Sequence, residues 1–478
     1  MIQKIVNIFK VPELRKKLGF TALMLLVFRL GGIVLVPGVD RSVIESFMDY
    51  SRTGAGSIFG LYNLFAGGFF SQFSIFALGI MPYISASIII QLLGSVVPYF
   101  QRLQKEGPEG RKKITQLTRY GTVLIASVQA VGVCVLLTSL DVSGATQSGL
   151  YLVSNPTTLF YFVTIVILVT GTVFCMWLGE QITNHGIGNG ISLIIMVGIL
   201  ATLPKIAYTQ FTNLFSYETK LSYPFFFGNE PFINNESQWT NVAPTNPFAF
   251  IIAIVILISI IVFVVLMSTA VRKIPVSYAK RIVGRKMYGG QATHLPLKIL
   301  TAGVMPIIFA QALVIIPTSL ASFFPNTGFG LWLQDTFANF TAIPYMIFLF
   351  VMIVGFTYFY TAVAFNPVDV ADNMKKQGGF IPGVRPGKPT ADFIDNILSK
   401  ITLPASVFLG FIAVLPNIIA RVSDGGIDIN TAAFFGGTSI LILVGVALDT
   451  LQQIESQLLM RNYEGFLKSG KIKGRRRY

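Results

Sequence analysis

Charge is scarce in this chain. Asp, Glu, Lys and Arg make up 12% of its 478 residues, where a soluble domain carries roughly 25%. A soluble protein of this length would divide into several domains. Here the apolar residues gather instead in segments too long and too weakly charged for a soluble core. Cysteine is limited to Cys134 and Cys175, both inside apolar runs; small apolar packing is the expected role, ahead of a disulfide or metal pair. The histidines, His185 and His294, are single and too scattered for a metal site. There is no HExxH, no GxSxG and no carboxylate pair in adjacent apolar segments. No ATP-binding loop appears either, so energy for any transport has to come from a partner. No metal, cofactor or enzymatic activity is expected.

What the chain has is hydrophobic residues, 53% of the total. A run of roughly 20 of them crosses a bilayer. Ten such spans are read, near 20–38, 73–97, 119–140, 156–178, 188–206, 248–270, 298–322, 344–365, 400–420 and 436–458. The expected fold is therefore an all-α polytopic membrane protein. The fifth and seventh spans are weak, interrupted by Gly198 and Pro204 in one and by Gly303 and Pro306 in the other. Orientation follows from the basic residues, which are retained on the cytoplasmic side. Segments 1–19, 98–119, 271–298, 366–400 and 456–478 hold 30 of the 36 Lys and Arg. That asymmetry predicts cytoplasmic termini and accounts for the net charge of +15 without invoking nucleic acid. The first apolar run, Phe20 to Val36, is longer than a signal-peptide core and lacks a clear cleavage site, so it reads as a span. Ile2, Ile5, Val6 and Phe9 ahead of it suit one face of an interfacial helix.

Several segments depart from plain spans. Ile75 to Leu93 is long enough to cross, yet it contains Pro82, Ser85, Ser87 and Gln91. Such residues are costly in lipid unless a neighbouring helix or a wet cavity receives them. Ser57 to Ala66 is apolar but only about 15 Å long as a helix, and Gly67–Gly68 interrupts it. It reads as re-entrant or as a surface helix. Ile80 and Ile84, four apart, share a helix face. Gln91, Gln129 and Gln311 are isolated amides in spans. Residues 272–298 contain two strand-like runs around a Gly284 turn, a protruding hairpin with Arg285 and Lys286 at its tip. Residues 378–389, GGFIPGVRPGKP, are turn-rich and carry Arg385. The loop 207–247 is long, polar and aromatic.

Five blocks go further than composition. LVTGTVFCMWLGEQITNHGIGNGISLII (168–195), YAKR (278–281), THLPLK (293–298), AFNPVDVADNMKKQGGFIPGVRPG (364–387) and FFGGTSILI (434–442) occur in this order over both halves. With IFALGIMPYISASIIIQLL (75–93) they strongly resemble the SecY family of protein-translocation channels. The resemblance implies two pseudo-symmetric halves, spans 1–5 and 6–10, divided here as 1–206 and 248–458. The external loop 207–247 lies between them and a basic tail, 459–478, follows. It implies a plasma-membrane channel that passes unfolded secretory polypeptides and releases hydrophobic segments sideways into lipid. It makes segment 57–72 a plug, with Ser57, Ile58, Phe59, Leu61, Leu64, Phe65, Gly67 and Gly68 as its residues. Ile80, Ile84, Ile195, Ile308 and Ile442 match a hydrophobic pore ring, whose sixth position falls near Val444 and Gly445. Spans 2 and 3 would part from 7 and 8 as a lateral gate containing Gln91, Gln129 and Gln311. Arg285, Lys286 and Arg385 would contact the SecA motor or the ribosome. SecE and, in bacteria, SecG would brace the bundle, with signal sequences and lipids as further partners. The rivals are a ten-span secondary transporter, for which Arg29, Glu180 and Asp449 are thin coupling residues, and a membrane enzyme.

Overall fold

The computed structural model describes residues 11–39, 63, 66–139, 157–215, 247–278, 281–283, 286–288, 292–321, 327–333, 336–337, 342–422 and 437–469. Each of the ten expected spans has a helix. In the first half these are α1 (Pro12–Gly31), α2 (Met81–Val96), α4 (Pro108–Ser139), α5 (Thr158–His185) and α6 (Gly190–Phe215), with the short α3 (Pro98–Lys105) after α2. In the second half they are α7 (Pro247–Thr269), α8 (Met305–Ala321), α10 (Ile343–Ala364), α12 (Lys388–Val422) and α13 (Gly437–Ser469). Two short helices, α9 (Gly328–Leu333) and α11 (Pro367–Lys376), flank α10. The segment 2–9 lies outside the described residues.

Proline sets helix starts more than it breaks helices. It occupies the first turn of α1, α2, α3, α10 and α11, where its missing N–H would have no intrahelical partner anyway. Pro82 is therefore not an interruption, as the sequence suggested, but the entry to α2. The expected span 73–97 is corrected accordingly: residues 66–80 run as consecutive turns, and the helix starts only at Met81. The same arrangement recurs in the second half. Gly79 (φ +56) precedes Ile80–Met81–Pro82, and Gly303 (φ +60) precedes Val304–Met305–Pro306. Each glycine takes a left-handed turn that side chains resist, and a helix begins two residues later. Pro204, by contrast, does lie inside α6, which continues to Phe215. The first residues expected in the external loop are thus helical; 216–246 lie outside the described residues.

The unwound stretch before α2 is buried. Phe69, Phe70, Phe73 and Phe76 are each at most 5% exposed. Its backbone pairs with the chain leaving α1: Val36 N donates to Phe73 O and Ile75 N to Val34 O, both at 2.9 Å, around a bridge between Leu35 and Ser74. These residues join one hydrophobic core that takes side chains from α1, α2, α4 to α8, α10, α12 and α13. Cys175 is buried in this core, and Cys134 is buried on α4. At its far end α2 turns through 96° into α3. The two halves also meet at their helix ends, where Gly188 N, between α5 and α6, donates to Gln453 Oε1 of α13 at 3.1 Å.

The loop between α7 and α8 forms the expected hairpin. Strand β1 (Val271–Tyr278) pairs antiparallel with β4 (Ala292–Lys298), and β2 (Arg281–Val283) with β3 (Lys286–Tyr288). A third partner was not foreseen. Strand β5 (Gly379–Phe380), from the next loop on the same basic face, adds to β1 through Ser277 opposite Phe380 and Tyr278 opposite Gly379. Pro275 of β1 lies outside that short pairing, so its missing N–H costs the ladder nothing there. Beneath the sheet, Ile274, Val276 and Leu297 pack with Met374, Ile381, Ile394 and Leu398 in a second, separate core. Ile394 is fully buried at the centre of this small unit. Ile394→Ala should therefore cost about 2–5 kcal/mol locally and free β5. Limited trypsin digestion should then cut faster after Lys375 and Lys376 than in the unsubstituted protein.

Candidate functional site

The five candidate isoleucines all enter the main core. Ile80 is 1% exposed, Ile84 3%, Ile195 0%, Ile308 3% and Ile442 0%, and they arrive from α2, α6, α8 and α13. Ile80 caps α2, and the first helical bond runs from Ile84 N to Ile80 O at 3.2 Å; the expected one-turn spacing is kept although the helix begins between them. The Gly-x-Met-Pro repeat puts Ile84 and Ile308 two residues beyond their prolines in corresponding helices of the two halves. Around Ile442, Val444 is 8% exposed, while Gly445 backs onto Val304. Val446, four residues past Ile442 and so on its helix face, is 3% exposed in the same core. Sequence reading missed Val446, although the i, i+4 spacing was visible.

The seam between halves runs where α8 packs on α2 and α4, with α10 behind α8. The three candidate glutamines differ. Gln91 donates to Ser87 Oγ of its own helix at 3.0 Å, a local bond. Gln129 of α4 is 8% exposed and Gln311 of α8 is 4% exposed. Gln311 Oε1 is buried without a hydrogen-bond partner among the described residues.

Of the plug residues, Ser57, Ile58, Phe59, Leu61, Leu64 and Phe65 lie outside the described residues. Gly67 and Gly68 do not: both have left-handed backbones, with φ +71 and +87. Asn63 is tied to this elbow, accepting at its backbone oxygen from Gly68 N at 2.8 Å and at Oδ1 from Ser71 N at 2.9 Å.

Three charged residues of the spans, Arg29, Arg119 and Glu180, are hydrogen-bonded. Arg119 of α4 donates Nε and Nη2 to the two carboxylate oxygens of Glu180 on α5, at 3.0 and 2.6 Å. Arg29 donates to backbone carbonyls of Gly67, Val197 and Gly198. Asp449 sits beside Gly303. They come from separate places in the bundle and do not converge on a common site, so the arrangement of a secondary transporter is missing among the described residues.

On the basic face, Arg285 lies outside the described residues and Lys286 begins β3. Arg385 is exposed on an ordered turn. Its carbonyl accepts from Thr390 Oγ1 at 2.8 Å, and Val384 N closes the turn onto Ile381 O at 3.1 Å. The strand pairing with β5 thus places this turn on the same small unit as the hairpin.

A ten-helix membrane bundle in two halves, meeting at an apolar centre and carrying a folded basic platform, is the class these features define. Residues 74–451 match the SecY family. A protein translocase subunit SecY from Halalkalibacterium halodurans is 44% identical over 98% of this chain and 100% of its own length. Its counterpart from Streptomyces coelicolor is 42% identical over 98% and 100%. The chain belongs to the SecY family. Solved channels share the fold: a SecY whose plug domain stabilises the closed state and maintains a membrane seal has 20% identity and TM-score 0.59, over 92% of this chain and 91% of that one. The channel of a canine ribosome-channel complex from the endoplasmic reticulum has 17% identity and TM-score 0.55, over 92% and 91%.

Gln311→Leu removes a buried acceptor that has no partner while keeping most of the side-chain volume. Stability should stay level or rise by up to about 1 kcal/mol, read as the thermal unfolding midpoint in detergent. A clear drop would mean that the amide is bonded.

Proposed function

We infer that this protein is the protein-conducting channel of a plasma-membrane translocase. It passes unfolded secretory polypeptides across the bilayer and releases hydrophobic segments sideways into lipid. The observation that carries this reading is the convergence of Ile80, Ile84, Ile195, Ile308 and Ile442, from both halves, on one buried core. Aliphatic side chains offer no fixed dipole to coordinate an ion, and a narrow apolar constriction resists wetting. Such a collar still deforms around an extended chain of any sequence. It is a seal without a substrate code, and Val446 is the natural sixth member.

The remaining parts follow from the same reading. Segment 57–72 is the plug on the outer side, with Gly67–Gly68 as its elbow. Spans 2 and 3, which carry Gln91 and Gln129, separate from spans 7 and 8, the seventh of which carries Gln311. Gln91, bonded within its own helix, is the weakest of the three gate residues. The basic face is cytoplasmic, with both termini on it, as the concentration of Lys and Arg supports. Arg285, Lys286 and Arg385 receive the SecA motor or the ribosome, whose chemical energy or chain elongation drives transport through a subunit with no catalysis of its own. SecE and SecG complete the channel, and translocating chains, signal sequences and lipids are its transient partners.

Helix α12 gives docking a mechanical route. Ile394 and Leu398, near its start, belong to the platform core, whereas Ala405, Leu409 and Ile412 belong to the main core. A load on the platform acts on a helix that reaches the channel, with Pro404 between the two sets of contacts.

Two measurements test the reading. Ile84→Ala with Ile308→Ala removes apolar volume from opposite halves and should raise resting ion conductance in planar bilayers several-fold. Unchanged conductance would remove these residues from the seal. Arg385→Glu reverses an exposed charge on a turn held by backbone and Thr390 bonds, so expression and thermal midpoint should hold while motor-driven translocation into proteoliposomes falls. Normal translocation would make Arg385 a merely solvated charge.

A further inference from the structure

Helix α9, Gly328–Leu333, joins α8 to α10 at the end of the bundle away from the hairpin. Its two sides differ. Gly330 and Leu333 are buried, and the helix packs on α8. Phe329 is 59% exposed, Leu331 51% and Trp332 57%. Phe329 and Trp332, three apart and so on one helix face, stack with ring centroids 6.2 Å apart. Thr327 ties the start of the helix: its Oγ1 accepts from Gly330 N at 3.1 Å and its carbonyl from Leu331 N at 2.9 Å. Two amides near the helix start are thus met without water.

The exposed aromatics are fixed at a definite depth. Trp332 meets Phe337 edge-on at 6.3 Å, and Phe337 meets Phe348 edge-on at 5.3 Å. Phe348 belongs to α10, five residues beyond its first residue, Ile343. Helix α10 has 22 residues, about 33 Å of rise, which matches a hydrocarbon core of about 30 Å. Its first turn therefore marks one edge of the bilayer, and Phe348 lies about 8 Å inside that edge. The aromatic patch leads onto the lipid-facing row of α10, where Ile343, Ile347 and Val351, spaced four apart, are 52%, 59% and 56% exposed. Charge is nearly missing here. Residues 322–342 include six aromatic side chains but only one charged one, Asp335, and no Lys or Arg. A partner held by anionic groups would find no cation on this surface.

We propose that α9 is an interfacial anchor, with Phe329, Leu331 and Trp332 seated in the headgroup–acyl boundary of the leaflet opposite the basic platform, against phospholipid. The rings fill the apolar side of that boundary while the Trp332 indole N–H faces its polar side, the placement for which tryptophan is enriched at membrane surfaces. With no cation on the patch, binding rests on buried apolar area alone, so a zwitterionic headgroup serves as well as an anionic one. Because α9 links α8 to α10, the anchor ties the ends of both helices to one leaflet.

The test uses the full channel in proteoliposomes and the fluorescence of Trp332. Trp177→Phe with Trp239→Phe leaves Trp332 as the sole tryptophan, since the chain has three. Phosphatidylcholine brominated near the carbonyl end of its chains should quench this emission several-fold more than phosphatidylcholine brominated near the chain methyls. Aqueous iodide should quench it several-fold less than in guanidinium-unfolded protein. If the doubly substituted protein does not assemble, Trp332→Phe alone serves: it should remove the shallow-quenched part of the wild-type emission. Added phosphatidylglycerol or high salt should change neither pattern. Strong iodide quenching with little effect of either brominated lipid would put Trp332 in water and overturn the proposal. Protection from all three quenchers would mean that a protein surface covers α9, and a maximum with the deep bromines would place it in the hydrocarbon core; either result overturns the anchor. Quenching that appears only with anionic lipid would overturn it as well.

Discussion

Buried backbone that is not helical must find hydrogen-bond partners in the protein, because a bilayer interior offers none. This constraint organises the centre of the molecule. The turns at 66–80 sit among helices, and their amides and carbonyls are met by the chain leaving α1, by one another and by Arg29. Only with those groups met can the second span start as late as Met81, after a broken approach. The position of Ile80 depends on it, because this buried residue caps a helix whose beginning is set by the turns before it. The matching turn at Gly303 does the same for α8.

Much of this was legible in the residues. The long apolar runs set ten helices. The hairpin followed from alternating residues around Gly284. The prolines misled. Pro82 and Pro306 look like interruptions when a hydropathy window is centred on them, but in the first helical turn they are start signals. Correctly read, the pair Gly-Ile-Met-Pro and Gly-Val-Met-Pro was the visible trace of the two-fold repeat. Pro204 is the opposite case, a true interior proline that nevertheless does not end its helix.

Other features were beyond local pattern. The pairing of β5 with β1 joins residues a hundred positions apart, and a two-residue strand has no periodicity to detect. Arg29 gave no hint of its acceptors, since backbone carbonyls are present at every residue and only the tertiary arrangement selects three of them. The glutamines show the same limit from the other side. An amide in an apolar run announces that it needs a partner, but not whether that partner lies in its own helix, as Ser87 does for Gln91, or across a seam.

The bond from Gly188 N to Gln453 has a consequence for biogenesis. The chain is made from its N-terminus, and its first half is complete long before α13 leaves the ribosome. Until then the amide between α5 and α6 lacks its final acceptor, and α6 lacks a helix that packs along it. Until α13 is made, the first half therefore has one flank without its final protein contact. Helix α13 closes that flank, so a chain cut short before it leaves an unfinished wall rather than a smaller channel.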